Sequence, residues 1–500
     1  MEVKYTNALF RHFCLFLHFS PSSRLYLRPE ELDIAMIKHL PLVTLLTLFM
    51  TSFPEAQTFT NLHNGLPSLE GAATAWSDYD GDEDLDLVIV GFSSVVAEVG
   101  SIYRNDGDGQ FTLVKSLDFP VSNGAVNWGD YDHDGDPDLL VNGQGGLGSP
   151  LTVTTIYNNG GNDVFVPVAS GLPGIMGIAR WMDYDGDGWL DVIMGGIGNS
   201  FLEDSIRLFH NDTTGMFTEI LIGLPGYFPS DISVVDFDVD GDMDFFVTGG
   251  TLSVSTFPVT RLFSNEGDGQ FTQASFPFID LSTGTSKWAD YDYDGDPDLL
   301  YNGIDSTSLS ITLLYRNDST ELFTLIDTNL PGSGEPGSVD WADVDGDGDL
   351  DILLGGPTAL LRNDGNNFYT DITPVDFDQG VPCSFADFDQ DGDQDILIIS
   401  SSGGLTTSTL HRNELLTEVQ LPVPDGQWIS IQLSPNPVSD EIFIPGGYYL
   451  QEVSTIQGQQ IDAHQIGNTV YAHYWPAGMY VLWLASNDHK EVRVGRIIKQ

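Results

Sequence analysis

An aspartate-crowded phrase begins at Asp78, Asp130, Asp183, Asp236, Asp290, Asp343 and Asp387, so successive copies stand 52, 53, 53, 54, 53 and 44 residues apart. Seven copies at a period near 53 confine the chain to a solenoid or a propeller, because a unit of that size must stack on its neighbours to bury its apolar face. Without such repeats, 500 residues would call for several domains.

A second token keeps the same beat: "YRNDGDGQFT" at 103, "YNNGGNDVFV" at 157, "FHNDTTGMFT" at 209, "FSNEGDGQFT" at 263, "YRNDSTELFT" at 315, "LRNDGNNFYT" at 361 and a remnant, "HRNELL", at 411. An Asn-Asp-Gly core between apolar flanks reads as a hairpin turn. Two residues before each acidic loop stands Trp76, Trp128, Trp181, Val234, Trp288, Trp341 or Phe385, and after it an apolar run that ends in glycine, such as "DVIMGG". No segment from 57 to 415 has sustained helical periodicity, so each repeat has room for about four short strands, the content of a propeller blade. The chain enters on "QTFTNL", half a hairpin token, and leaves the repeats on "LHRNELL", the complementary half. Pairing the two would close a ring and hide its edges. The expected fold is all-β: a seven-bladed β-propeller over 57–415, with an eighth, degenerate blade as the alternative, followed by a small C-terminal β-sandwich.

Numbered from its first residue, each loop has Asp at positions 1, 3, 5 and 9. Position 1 is given by the seven starts above; position 3 is Asp80, Asp132, Asp185, Asp238, Asp292, Asp345 or Asp389. Position 5 is Asp82, Asp134, Asp187, Asp240, Asp294, Asp347 or Asp391, and position 9 is Asp86, Asp138, Asp191, Asp244, Asp298, Asp351 or Asp395. Position 7 is Asp84, Asp136, Trp189, Asp242, Asp296, Asp349 or Asp393, and tolerance of a tryptophan points to its backbone carbonyl as the useful group. Position 6 is glycine in six copies, which allows φ > 0 where the chain curls round a centre. Alternating carboxylates, one carbonyl and a mid-loop glycine describe an oxygen cage for Ca²⁺; Mg²⁺ takes fewer protein ligands, and Zn²⁺ calls for His or Cys. An EF-hand opens alike but needs an acidic position 12 and flanking helices. Here position 12 is Ile89, Val141, Met194, Val247, Tyr301, Leu354 or Ile398, so that motif is rejected. Loop 1 departs most, with Gly81 at position 4 and Glu83 in the glycine slot.

The W-x-D-x-D-x-D-G-x-x-D-L pattern with the "YRNDGxGxF" token resembles the FG-GAP/VCBS repeats, which are similar to the calcium-binding blades of integrin α-subunits. The resemblance covers roughly 57–415. It implies one Ca²⁺ in each blade's loop, up to seven structural ions, held by positions 1, 3, 5 and 9 and the carbonyl of position 7.

Before the repeats, residues 1–56 read as a leader. The segment 36–56, "MIKHLPLVTLLTLFMTSFPEA", has the short basic start of a signal peptide, and its apolar stretch, Leu40 to Phe53, is too short to span a membrane. Met36 as the true start and one long leader over 1–56 are both open, and in either case the mature chain is expected to begin near Gln57 and to be exported. After 415 comes a Pro-bearing linker, 416–430. The "SPNP" opening, "GQQI", "PAGMYVL" and the basic end (Lys490, Arg493, Arg496, Lys499) of 431–500 resemble the C-terminal sorting domain of the type IX secretion system of Bacteroidetes. That resemblance implies passage through the outer membrane to a secreted or surface-attached state. An ordinary carbohydrate- or protein-binding sandwich is the other reading of this tail.

Charge narrows the partners. The chain has 73 acidic and 18 basic residues, a formal net of −55, and only nine basic residues, well spread, between 57 and 415. Such a surface repels nucleic acid and anionic lipid. Cys14 lies in the leader, and Cys383, in an apolar stretch, reads as core filler. No catalytic motif stands out: His210 and His411 are placed in equivalent slots of the hairpin token, and His133 is position 4 of a loop. The recurrent tryptophans read as packing between blades, with Trp189 expected to be exposed. The expected function is an exported, calcium-stabilised, non-catalytic binding or adhesion protein for an extracellular protein or glycan. The alternative is a polysaccharide-active lyase or hydrolase on a propeller scaffold.

Overall fold

The apolar run after each acidic loop becomes a strand buried on both faces. Asp86–Gly91, Asp138–Gly143 and Asp191–Gly196 are buried at every residue, which explains why these runs do not alternate. In the computed structural model, residues 57–414 are described apart from 63–64, 108, 147–150, 199–205, 225, 252–256, 268, 320–321, 335–336 and 401–407, together with strands between 441 and 499. The leader 1–56 and the linker 416–430 lie outside the described residues. Among the described residues there is no helix, and so none long and apolar enough to cross a membrane.

The first six repeats each supply four antiparallel strands, as in the first: Glu70–Ser77, Asp86–Ser93, Ala97–Asn105 and Phe111–Ser116; the seventh supplies three and takes Phe59–Asn61 as its fourth. Seven inner strands begin at Glu70, Val121, Ile175, Phe228, Ser286, Ser338 and Gly380. Each packs beside the next, and the last returns beside the first, so the sheets form a closed propeller arrangement. The expectation of seven separate blades is corrected. Five four-stranded sheets stand alone, while the second and third repeats are joined in one eight-stranded sheet. The join is a single pairing, Ile175 with Val153. Gly174 makes it possible: a Cβ there would lie 2.3 Å from the Thr152 carbonyl oxygen, and the Thr152 hydroxyl donates to the Gly174 carbonyl at 2.8 Å.

Ring closure follows the expected pairing. Phe59–Asn61 runs antiparallel to Thr409–Asn413, with Phe59 opposite Asn413 and Asn61 opposite His411. The core lies between blades rather than within them. One cluster joins Tyr79, Val88 and Ile102 of the first repeat to Val126, Leu139 and Phe165 of the second; another joins Leu66, Leu87 and Ile89 to Phe388, Leu397 and Leu410 across the closure. Cys383 is buried in such a cluster, and burial pushes its thiol up to about 12, so the reading as core filler holds. Further on, residues 441–499 hold two three-stranded antiparallel sheets.

Candidate metal centres in the acidic loops

Each acidic loop links an inner strand to the second strand of its blade, and position 9 is the first residue of that second strand in all seven copies. These seven aspartates are fully buried. In loop 2, Asp138 Oδ2 accepts the Tyr131 N–H at 3.3 Å and Oδ1 accepts the Asn159 N–H at 2.8 Å. Position 9 does the same in every other loop, for example Asp86 with Tyr79 and Asn105 and Asp395 with Phe388 and Asn413. It therefore ties the loop to the hairpin. Burial raises these carboxyls despite the amide donors: Asp86, Asp138, Asp244 and Asp298 to about 7, Asp351 to about 8 and Asp395 to about 9.

Position 1 organises the turn. Asp130 accepts the N–H groups of Asp134 and Gly135 at 3.2 and 3.1 Å, and Asp290 repeats this with Asp294 and Gly295 at 3.0 Å each. Position 5 accepts the N–H of position 7, as Asp134 does from Asp136 at 3.0 Å and Asp187 from Trp189 at 2.8 Å. The position 6 glycines have φ between 92° and 100°, as expected, and Glu83 is held at 80° in the same slot. Position 4 was not foreseen. All seven residues there are left-handed, including His133, Val239, Tyr293 and Gln390, so Gly81 conforms to the pattern rather than departing from it.

The loops bring carboxylates together. Oxygens of Asp78, Asp80 and Asp86 lie within 4.8 Å of one another, as do those of Asp130, Asp132 and Asp138, of Asp183, Asp185 and Asp191, and of Asp236, Asp238 and Asp244. These are positions 1, 3 and 9. Several of the oxygens are sealed from solvent with no hydrogen-bond partner: Oδ1 of Asp132, Asp185 and Asp238 at position 3, and of Asp183, Asp343 and Asp387 at position 1. Burial and the neighbouring position 5 carboxylate both raise the position 3 acids, as at Asp132 and Asp292. Convergent, sealed anionic oxygens without donors fit a hard cation, because leaving them unpaired is costly.

A second set of residues escaped the sequence reading, which took the hairpin asparagine only as a turn former. Asn159 Nδ2 donates to the Pro137 carbonyl in its own loop at 3.2 Å and to the Tyr79 carbonyl in the preceding loop at 2.9 Å. Asn105, Asn211, Asn265, Asn317 and Asn413 make the same bridge to position 2 of the loop before. The position 2 side chains pack across that joint. Tyr79 stacks on Trp128 at 5.7 Å and Tyr131 on Trp181 at 6.0 Å, so the tryptophans are inter-blade packing, as read. Trp189 differs from expectation: it is half-buried and stacks on His133 at 4.2 Å, while His133 Nε2 lies 2.7 Å from the Gly188 carbonyl. Tyr293 likewise reaches the Gly348 carbonyl, and Gln390 reaches Asp84.

The two histidines of the hairpin token are not equivalent. His411 lies two residues before Asn413, fully buried against Phe377 at 4.4 Å, whereas His210 directly precedes Asn211 and faces Asp185 and Asp191. The charged residues on the inner strands are Glu70, Arg180, Asp231, Lys287 and Asp340. Arg180 pairs with Asp231 at 3.1 Å, and Lys287 with Asp340 at 3.3 Å.

Fold and loops together define a β-propeller whose repeats each present an acidic, cation-suited turn. The FG-GAP-like repeat model matches residues 78–141, 183–247 and 290–354, so the chain carries FG-GAP-like repeats, each match spanning two successive acidic loops. No curated protein matches the sequence. Among solved structures, the biofilm matrix protein Bap1 of V. cholerae aligns at 14% identity over 89% of this chain and 71% of its own, with a TM-score of 0.34. PorZ, a surface component of the type IX secretion system of Porphyromonas gingivalis, aligns at 10% identity over 86% and 81%, with a TM-score of 0.18.

Proposed function

We propose that this chain is an exported, calcium-stabilised propeller that acts as a non-catalytic binding or adhesion protein, secreted or held at the cell surface. The observation that carries the metal reading is the set of sealed, unpartnered carboxylate oxygens at positions 1 and 3 of successive loops. Positions 1, 3, 5 and 9 and the carbonyl of position 7 would hold each ion. Bound Ca²⁺ would neutralise the cluster and fasten the loop to its blade. At about ten times a Kd near 10⁻⁴ M, each ion would add about 1.4 kcal/mol, so several sites rival the stability of a domain.

The binding role is supported by the charged side chains of the inner strands, where Arg180 is paired with Asp231 and Lys287 with Asp340, and Glu70 is the other acid. Those same pairs are where the alternative, a polysaccharide-active enzyme, would have to find its acid and base. The strands of 441–499 serve, in this reading, as the sandwich of a type IX sorting domain that contacts the secretion machinery, and a net charge of −55 disfavours nucleic acid as a partner.

Two measurements test this. Thermal unfolding with Ca²⁺ and with EGTA should differ by many degrees, and Asp132→Ala and Asp292→Ala should each shrink the difference; an unchanged melting temperature removes structural calcium. A glycan array probed with and without EDTA should give calcium-dependent binding without product release, whereas chain cleavage would favour the enzyme.

A further inference from the structure

The residue just before the hairpin asparagine reaches the position 3 aspartate in five repeats, and its identity varies in a way that changes the ligand chemistry. It is Arg104, Arg316, Arg362 or Arg412 in four repeats, Asn158 in the second, Ser264 in the fourth and His210 in the third. Arg316, Arg362 and Arg412 direct their guanidinium groups toward Asp292, Asp345 and Asp389 at 3.8–3.9 Å. Asn158 donates to Asp132 Oδ2 at 2.7 Å. Those side chains bring donors to the cage, whereas a neutral imidazole brings a nitrogen lone pair.

His210 is placed to use it. Its Nδ1 lies 3.5 Å from Asp185 Oδ2 and 3.2 Å from Asp191 Oδ1, is sealed from solvent and makes no hydrogen bond. Asp185, Asp187 and His210 offer ligand atoms that all lie within 4.8 Å of one another. Oδ1 of Asp183 and Oδ1 of Asp185 in the same loop are also sealed and unpartnered. The edge of the Tyr184 ring meets the imidazole at 5.9 Å and helps to fix its plane. A set of carboxylates with one imidazole nitrogen is a mixed N/O site, which suits Zn²⁺, Co²⁺ or Ni²⁺ far better than the all-oxygen cages of the other loops do.

We infer that the third loop, completed by His210, is a site for a divalent transition-metal ion and differs in metal preference from the other six loops. The inference rests on the proposal that these loops bind cations, and its test separates the two. Untagged, calcium-loaded full-length chain is titrated with Co²⁺ and followed by its visible absorption, then challenged with Zn²⁺ and with excess Ca²⁺. The expected result is one Co²⁺ taken up with a nitrogen-ligand spectrum, displaced by Zn²⁺ and retained against Ca²⁺. His210→Arg restores the residue of four other repeats, so it should fold, and it should weaken Co²⁺ binding by roughly tenfold or more, a loss at least as large as removal of a supporting residue around a metal ligand causes. Asp132→Ala, in the second loop, should leave Co²⁺ uptake unchanged. Equal Co²⁺ affinity in His210→Arg, or displacement by Ca²⁺, overturns the inference and leaves His210 only a packing neighbour of Asp191. If Ca²⁺ and EGTA give the same melting temperature in both proteins, the calcium proposal fails instead.

Discussion

Asn105 donates its side-chain amide to the backbone carbonyl of Phe388, 283 residues further along the chain, at 2.7 Å. The same amide reaches the Leu85 carbonyl at 3.3 Å, so one side chain ties the first acidic loop to the last and closes the ring beside the Phe59–Asn61 pairing. Asn105→Ala strands the buried Phe388 carbonyl and the part-buried Leu85 carbonyl and should cost about 1–3 kcal/mol. Chemical denaturation of the two proteins measures it, and a loss no larger than that of the exposed Gln273→Ala would refute the role.

The buried position 9 acids make a pH prediction for the chelated chain. Asp138 and Asp298 sit at about 7 when folded, against an ordinary carboxylate value near 3.9 when unfolded. Between those values the folded state binds more protons than the unfolded one, so stability falls as pH rises through that window. In EGTA the melting temperature should therefore be lower at pH 8 than at pH 5. Calcium should reverse the order, because it binds the ionised form and protons compete with it below about pH 7. Equal apo melting temperatures at the two pH values would remove this account.

Glu83 and Val239 are held at φ of 80° and 56°, where a side chain costs about 1–2 kcal/mol relative to glycine. Glu83→Gly and Val239→Gly should each raise the melting temperature, offset in part by the greater freedom of glycine in the unfolded chain. Differential scanning calorimetry decides it, and a fall in both variants would mean that the left-handed turns carry no strain.

Trp189 replaces an aspartate at position 7 and stacks on His133 of the neighbouring loop. If that position contributes its carbonyl, Trp189→Ala should keep the calcium-dependent rise in melting temperature while losing roughly 1 kcal/mol of stacking between the loops. Loss of the calcium response in this variant alone would assign a direct role to the side chain.

Much of the site was legible in one dimension because its parts are close together in the chain. Positions 1 to 9 of a loop are covalent neighbours, so their alternation exposed the cage, and the buried strand holding position 12 excluded an EF-hand. The bridging asparagines were not legible, since Asn159 meets Tyr79 across 80 residues and nothing near Asn159 announces that partner. The role of His210 was hidden for the same reason: its slot in the hairpin says nothing about the acidic loop folded against it.

By itself the amino-acid order determined an all-β repeat, its period, its point of closure and the aspartates that gather in each loop. These follow from short-range alternation and from a unit that recurs with little change in length. Tertiary structure alone decided that the second and third repeats share a sheet, because Gly174 lets Ile175 come within pairing distance of Val153. It also decided that position 9 is a buried tie between loop and hairpin and that His210 enters a metal-suited cluster. Those outcomes depend on which surfaces the closed ring presses together, a property no local pattern encodes.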